Sequence, residues 1–283
     1  MKIRKFLMGI SCAFFMVMIS IGFLVEFHPM QSALEKTQLG IKTDLPILIM
    51  NNGDLASTAT SGNGTFVAPY IIENLVINGT GSDHGIQIYN TNLPFIIRNC
   101  TINHTIVGGG GIRLNGVLNG QIMNNTIIYA STGIELVDSN CTSTYNNSIS
   151  YANDGMEVYL SINNSIYNNS IAYSSNAGIH FFRSSNNVIK FNTINYNSFG
   201  LLFMYSDYNN ITFNTLLGNT RCILEQTCAG NYYLENHCNN GIQIASFIWA
   251  YSLIGLILGI CILQLLQEFK ISAGNKKIEK YTN

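Results

Sequence analysis

The stretch "NTIIYASTGIEL", Asn125 to Leu136, returns in near copies along the chain. "NSISYANDGMEV" begins at Asn147, "NSIAYSSNAGIHF" at Asn169, "NTINYNSFGLLF" at Asn192, and a degraded "NTLLGNTRCILE" at Asn214. Aligned on their first residue, Asn125, Asn147, Asn169, Asn192, Asn214 and Asn236 stand 22, 22, 23, 22 and 22 residues apart. Other columns keep the step. An apolar column slightly upstream holds Ile122, Ile166, Ile189, Ile211 and Tyr233, with Thr144 the exception. One just downstream holds Ile127, Ile149, Ile171, Ile194, Leu216 and Cys238, and a glycine column holds Gly111, Gly133, Gly155, Gly178 and Gly200. Self-similarity at a fixed period of this size marks a stacked-repeat architecture, in which each copy buries the apolar face of its neighbour.

The copies read as strands. "GIEL", "GMEV", "GIHF" and "GLLF" alternate with period two, and short apolar runs are punctuated by Asn, Ser and Gly. No sustained helical period occurs between Asp44 and Ile244. One turn of ~22 residues holds about three short strands, and the next turn covers its exposed edges by parallel pairing at ~4.8 Å. The expected fold is all-β, a parallel β-helix of about 7–8 turns. Its isoleucines point inward. Its asparagines fall at bends, where their amides bond backbone and one another up the stack, and its glycines are expected at corners that need positive φ.

The 283-residue chain has a formal charge of -1, 47% hydrophobic residues and only 10% charged ones. Two charge-free segments, Phe6 to Val25 and Ser246 to Leu266, account for part of this. Each is about 20 residues long, enough to span a bilayer as a helix. Lys2, Arg4 and Lys5 precede the first, and Lys270, Lys276, Lys277 and Lys280 follow the second, so both tails read as cytoplasmic. The first segment is longer than a usual signal-peptide core and lacks a clear A-x-A site, so an uncleaved anchor fits better than a cleaved signal. Between the segments stand 13 acidic and 7 basic residues, which argues against nucleic acid as a partner. The expected organisation is a signal anchor or signal peptide over residues 1–28, a linker over 29–44 and an extracytoplasmic β-helix over 45–244. A transmembrane helix over 245–267 and a cytoplasmic basic tail over 268–283 follow. "LPILIMNNGDLASTATSGNGTFVAPYIIENLVI", Leu45 to Ile77, reads as an N-terminal cap.

The register "N-[ST]-I…G-[IM]-x-[LVF]" from Gly85 to Cys238, with the leading "SGNGTFVAPYIIENLVI", resembles the right-handed parallel β-helix repeats of the NosD-like family, also called carbohydrate-binding and sugar-hydrolase repeats. The resemblance implies a right-handed solenoid. It implies little about activity, because such repeats serve hydrolases, lyases, epimerases and non-catalytic surface proteins alike.

The middle residue of each "GIxL" copy should face outward, which lines up Arg113, Glu135, Glu157 and His180. Glu135 and Glu157 would stand ~4.8 Å apart, close to the ~5–5.5 Å of a retaining glycosidase pair. The flanking Arg and His could tune them and bind an acidic sugar. The plainer reading is a solvated charge ladder. The paired Asp and Gly-His-Gly of polygalacturonases are absent, as is the calcium-binding Asp cluster of pectate lyases. The next outward column reads Val137, Tyr159, Phe182 and Met204 with Tyr205 close by, either a sugar-stacking platform, a protein contact or a strip under an N-terminal arm. Of seven cysteines, Cys222, Cys228 and Cys238 cluster in the last turn, where Cys228–Cys238 or Cys222–Cys238 are both possible pairs. His28, His84, His104, His180 and His237 are scattered, so neither a metal nor a cofactor is expected. Ten Asn-x-Ser/Thr sequons occur, at Asn63, Asn78, Asn99, Asn103, Asn124, Asn140, Asn146, Asn163, Asn168 and Asn210, some of them by-products of the repeat. The expected role is a membrane-anchored cell-surface protein that contacts other surface proteins or glycans without catalysis. The alternative is a polysaccharide hydrolase or lyase using Glu135 and Glu157.

Overall fold

The computed structural model describes residues 44–239, apart from residue 82 and residues 106–108. Both apolar segments lie outside the described residues, and among those described no helix is long and apolar enough to cross a membrane. The chain winds through about eight turns, and every turn places one strand in each of three eight-stranded sheets. The first sheet runs from Ile47–Ile49 to Arg221–Gln226, the second from Tyr70–Glu73 to Tyr232–Leu234, and the third from Val76–Asn78 to His237–Cys238. Pairing is parallel and in register with the repeat. Ile122, Thr144, Ile166, Ile189 and Ile211 stack in the second sheet, and Ile102, Ile127, Ile149, Ile171 and Ile194 in the third. These side chains are fully buried in one continuous core. At about 25 cal/mol per Å² of apolar area removed from water, this interior is the dominant favourable term of the fold.

The asparagine column behaves as its spacing predicts. Each backbone N–H of Asn125, Asn147, Asn169, Asn192 and Asn214 donates to the Oδ1 of the asparagine one turn on, at 2.9–3.1 Å. Each Nδ2 returns a hydrogen bond to the turn behind, as from Asn169 to the Thr144 carbonyl at 2.9 Å. The amides are buried but satisfied, which is what a polar group inside a solenoid requires. Further ladders escape the sequence reading: Thr142, Asn164, Asn187, Asn209 and Asn231 form one, and Ser139, Ser161, Ser184, Ser206 and Cys228 another.

The glycine column is a correction. None of Gly111, Gly133, Gly155, Gly178 and Gly200 has positive φ. They sit inside the strands of the first sheet, where a Cβ would meet a neighbour. At Gly155 it would lie 2.3 Å from Ile171 Cγ2 and 2.5 Å from the Gly178 carbonyl oxygen. Glycine is needed because the sheets pinch together, not because the chain turns. The left-handed corners are built instead from Asn99, Asn124, Asn146 and Asn168 on one edge, and from Tyr129, Tyr151, Tyr173 and Tyr196 on another. For a tyrosine that conformation costs about 1–2 kcal/mol. Stacking offsets it: the four rings follow one another at 5.1–5.4 Å, with His104 continuing the stack beyond Tyr129.

Both ends of the core are closed. At the start, helix α1, Asn52–Thr58, is capped by the Asn51 side chain and drops Leu55 into the interior. At the finish, the inward column that holds Phe181 and Phe203 receives Glu225, whose Oε1 accepts hydrogen bonds from Asn231 Nδ2 and the Tyr233 hydroxyl. Cys222 falls in the glycine column, opposite Gly200, and is disulfide-bonded to Cys238 with their Cα atoms 6.1 Å apart. Cys228 is free and buried in the serine ladder.

Candidate functional site

The first sheet carries the longest strands, six residues each from Gly110–Asn115 onward. Its outer side therefore presents more columns than the three-residue strands of the third sheet. Arg113, Glu135, Glu157 and His180 are direct register partners, so the four are brought together in one row. The row is not the solvated ladder of the plainer sequence reading. Glu135 is only 6% exposed, and Glu157 and His180 are half-buried. Arg113 Nη1 lies 3.0 Å from Glu135 Oε2, and His84 Nε2 lies 3.8 Å from Glu135 Oε1. Gly110 leaves room for this packing, since a Cβ there would stand 3.0 Å from His84 Cδ2 and 3.4 Å from Glu135 Oε1.

Two members were not anticipated. His84 is buried and reaches the row from the preceding turn. Asp154, also buried, accepts from the Ala177 N–H at 3.0 Å and from Asn176 Nδ2 at 2.8 Å. The available signal for Asp154 was its place in the copy "NDGMEV", one residue before the glycine column. His84 carried no signal, because its turn is longer than the others.

Burial shifts the titration of Asp154, Glu157 and His180. It raises the Glu157 carboxyl above its ordinary range, and the charges of Glu135 and Asp154 push the same way against Arg113. Burial also raises Asp154, opposed by its backbone hydrogen bond, the His180 charge and the Asn176 amide. It lowers His180, opposed by Asp154. Among the described residues, His84 Nδ1 and Nε2, Arg113 Nε and His180 Nε2 are buried without a hydrogen-bond partner. The arrangement sets the carboxylate paired with Arg113 beside a carboxyl shifted upward and an imidazole shifted downward. It can donate and accept hydrogen bonds in alternation along the stack. No cluster of three metal-ligating groups occurs among the described residues.

Beside the row, Val137, Tyr159, Phe182 and Met204 follow in register as expected. The Tyr159 and Phe182 rings lie 5.4 Å apart within 3° of parallel, and Tyr205, half exposed, meets Phe182 edge-on at 5.8 Å. Arg183 sits over the same Phe182 ring at 5.4 Å. Rings stacked up the solenoid give their faces to one another and their edges to solvent. The strip forms an apolar wall beside the polar row.

A three-sheet parallel solenoid with an ionisable row on its broadest sheet defines the class of protein. The chain belongs to the family described as the right-handed β-helix region, whose profile matches residues 84–246, more than half of the chain. Curated proteins yield no match. Solved structures do. A mutant of the periplasmic alginate epimerase AlgG is 17% identical, with a TM-score of 0.49 over 58% of this chain and 45% of that one. The Azotobacter vinelandii mannuronan C-5 epimerase AlgE6 A-module is 14% identical, with a TM-score of 0.43 over 62% and 61%. The AlgE4 A-module from the same organism is 10% identical, with a TM-score of 0.33 over 63% and 73%. The chain thus spans less than half the length of the first of these, and likeness at this level carries no activity across.

Proposed function

We propose that this chain is a membrane-tethered surface protein whose first sheet holds a hydroxyl-rich glycan without cleaving it. One observation carries the reading: His84, Arg113, Glu135, Asp154, Glu157 and His180 are gathered, buried or half-buried, on the outer side of one sheet. Three of the six are carboxylic acids, and the single guanidinium is already paired with Glu135. Such a row disfavours a polyanion. It suits neutral sugar hydroxyls, which can donate to and accept from the half-buried Glu157 and His180 side chains. The NosD-like register of the repeat supports a place among carbohydrate-binding repeats. The apolar segments Phe6–Val25 and Ser246–Leu266, with their basic flanks, support two anchors and an exported solenoid.

The second reading is glycan cleavage, favoured by the unequal pair of neighbouring carboxyls: Glu135 ion-paired, and Glu157 inclined to keep its proton. That division is the one an acid and a nucleophile need. Full-length chain in nanodiscs, applied to a glycan array and then incubated with each retained glycan, separates the two. Retention that falls at least about tenfold in Arg113→Met, about 1.4 kcal/mol, with no product released by the wild type, supports binding alone. Product released by wild type but not by Glu157→Gln establishes the enzyme. No retention of any glycan rejects both.

A further inference from the structure

The structure sorts the ten sequons by what their side chains already do. Asn63 and Asn78 accept hydrogen bonds from the N–H and hydroxyl of their own Thr65 and Thr80. The Asn140 amide oxygen accepts from the Ile162 N–H at 2.7 Å, and its Thr142 hydroxyl is buried against Asn164. In the sequons of Asn103 and Asn210 the threonine, Thr105 or Thr212, is buried. The last three are closed; Asn63 and Asn78 keep their amide nitrogens free but stand apart from the corner described next. Asn99, Asn124, Asn146 and Asn168 are different. All four are exposed, hold φ of 54–56° and spend no amide atom on the described residues. Their partners Thr101, Thr126, Ser148 and Ser170 lie on the outer side of the third sheet with unengaged hydroxyls. The four stand on successive turns of a single corner, the one between the second and third sheets. In a three-sheet solenoid that corner lies across from the first sheet. Asn163 is also open, at a different corner.

We propose that this corner is an N-glycan acceptor stripe, carrying no more than two glycans per chain. Each Asn amide nitrogen would form a bond to the anomeric carbon of an oligosaccharide held on a lipid diphosphate. The bond from that carbon to the diphosphate oxygen breaks, the lipid diphosphate leaves and the amide gives up one proton. Acceptors one turn apart are separated by only ~4.8 Å, about one sugar ring, and alternate turns by about 10 Å. A glycan on one turn therefore shields the next. The stripe rests on the exported orientation proposed above, and it would keep the glycans away from the candidate face.

The full chain, produced in glycosylating eukaryotic cells, tests this by intact mass and peptide mapping, with surface biotinylation reporting export separately. The expected result is one or two glycans among Asn99, Asn124, Asn146 and Asn168, with any others confined to Asn63, Asn78 and Asn163. Replacing the partner hydroxyls by Thr101→Val, Thr126→Val, Ser148→Ala and Ser170→Ala keeps the asparagine corners and should remove the stripe's share of the mass. An exported chain with no glycan on the stripe, with three or four there, or with glycans chiefly on the closed sequons overturns the proposal alone. A chain that is not exported overturns the orientation along with it.

Discussion

Glu157 is paired in register with Glu135 on one side and His180 on the other, and burial raises its carboxyl above the ordinary range. A carboxyl raised in the folded state stabilises the fold fully below its unfolded value, near 4.5, and that contribution is lost as pH rises through the folded value. Asp154 acts in the same direction. His180, lowered by burial, acts oppositely: its contribution is present above its unfolded value, near 6.5, and is lost as pH falls through the folded one. Removing the Glu157 charge should therefore help only where the wild type is forced to ionise it. Melting curves of Glu157→Gln against wild type are expected to show a higher Tm at pH 8, with the gain fading below about pH 4.5. A gain that is the same at both ends would mean that packing, not ionisation, separates the two proteins.

A single turn shows how much could be read in advance. The Asn125-to-Asn236 spacing and the isoleucine columns specify strand, register and inward face together, because a slip of one residue would turn every isoleucine outward. The burial of Glu135 was not legible. It depends on Arg113 and His84 from two earlier turns and on the missing Cβ of Gly110. The glycines misled because a close approach and a left-handed corner both select Gly, and only the packing tells them apart. The tyrosine corner was visible as a period and passed over, since tyrosine is not a usual left-handed residue. The last turn tests this geometry. In earlier turns Gly133 meets Ile149, and Gly155 meets Ile171; Cys222 and Cys238 hold the same two places, with the same separation of 16 residues. The double substitution Cys222→Gly and Cys238→Ile should restore the packing of the other turns while losing the cross-link, which for a loop of this length contributes about 3 kcal/mol. Hydrogen exchange is expected to quicken in residues 221–239 and to stay unchanged near Ile127. Reductant should reproduce the change in wild type and add nothing to the double variant.

At the scale of the whole solenoid, stability is a sum over neighbouring turns, so the ends matter more than their size suggests. A terminal turn ends in strand edges, a template for other chains unless something covers them; at the first turn Asp44 already pairs with Val76 and Ile77, and Ser61 with Ile71. The two ends use different chemistry. Glu225 closes one by putting a carboxylate, held by Asn231 and Tyr233, where the next turn would seek another Phe203. At the other end α1 lies over the first strands, Ile47–Ile49 and Tyr70–Glu73, and its fit depends on Leu55, the one buried residue of the helix. Asn51 and Asp54 fix its start: the Asn51 side chain accepts from the Gly53 and Asp54 N–H groups, and Asp54 Oδ2 accepts from the Met50 N–H. Replacing Leu55 by Asp leaves that cap intact but drives a charge against the apolar end of the core. The helix should lift, exposing Ile49 and Ile72 together with the edge of Ile47–Ile49. Light scattering of Leu55→Asp in detergent is expected to show concentration-dependent oligomers at temperatures where wild type does not self-associate, with little change in far-ultraviolet circular dichroism because the later turns stay paired. A variant that keeps the size distribution of the wild type would show that the first turn needs no cover. A variant that loses its β signal entirely would show that the turns do not hold one another independently, against the nearest-neighbour account of this fold.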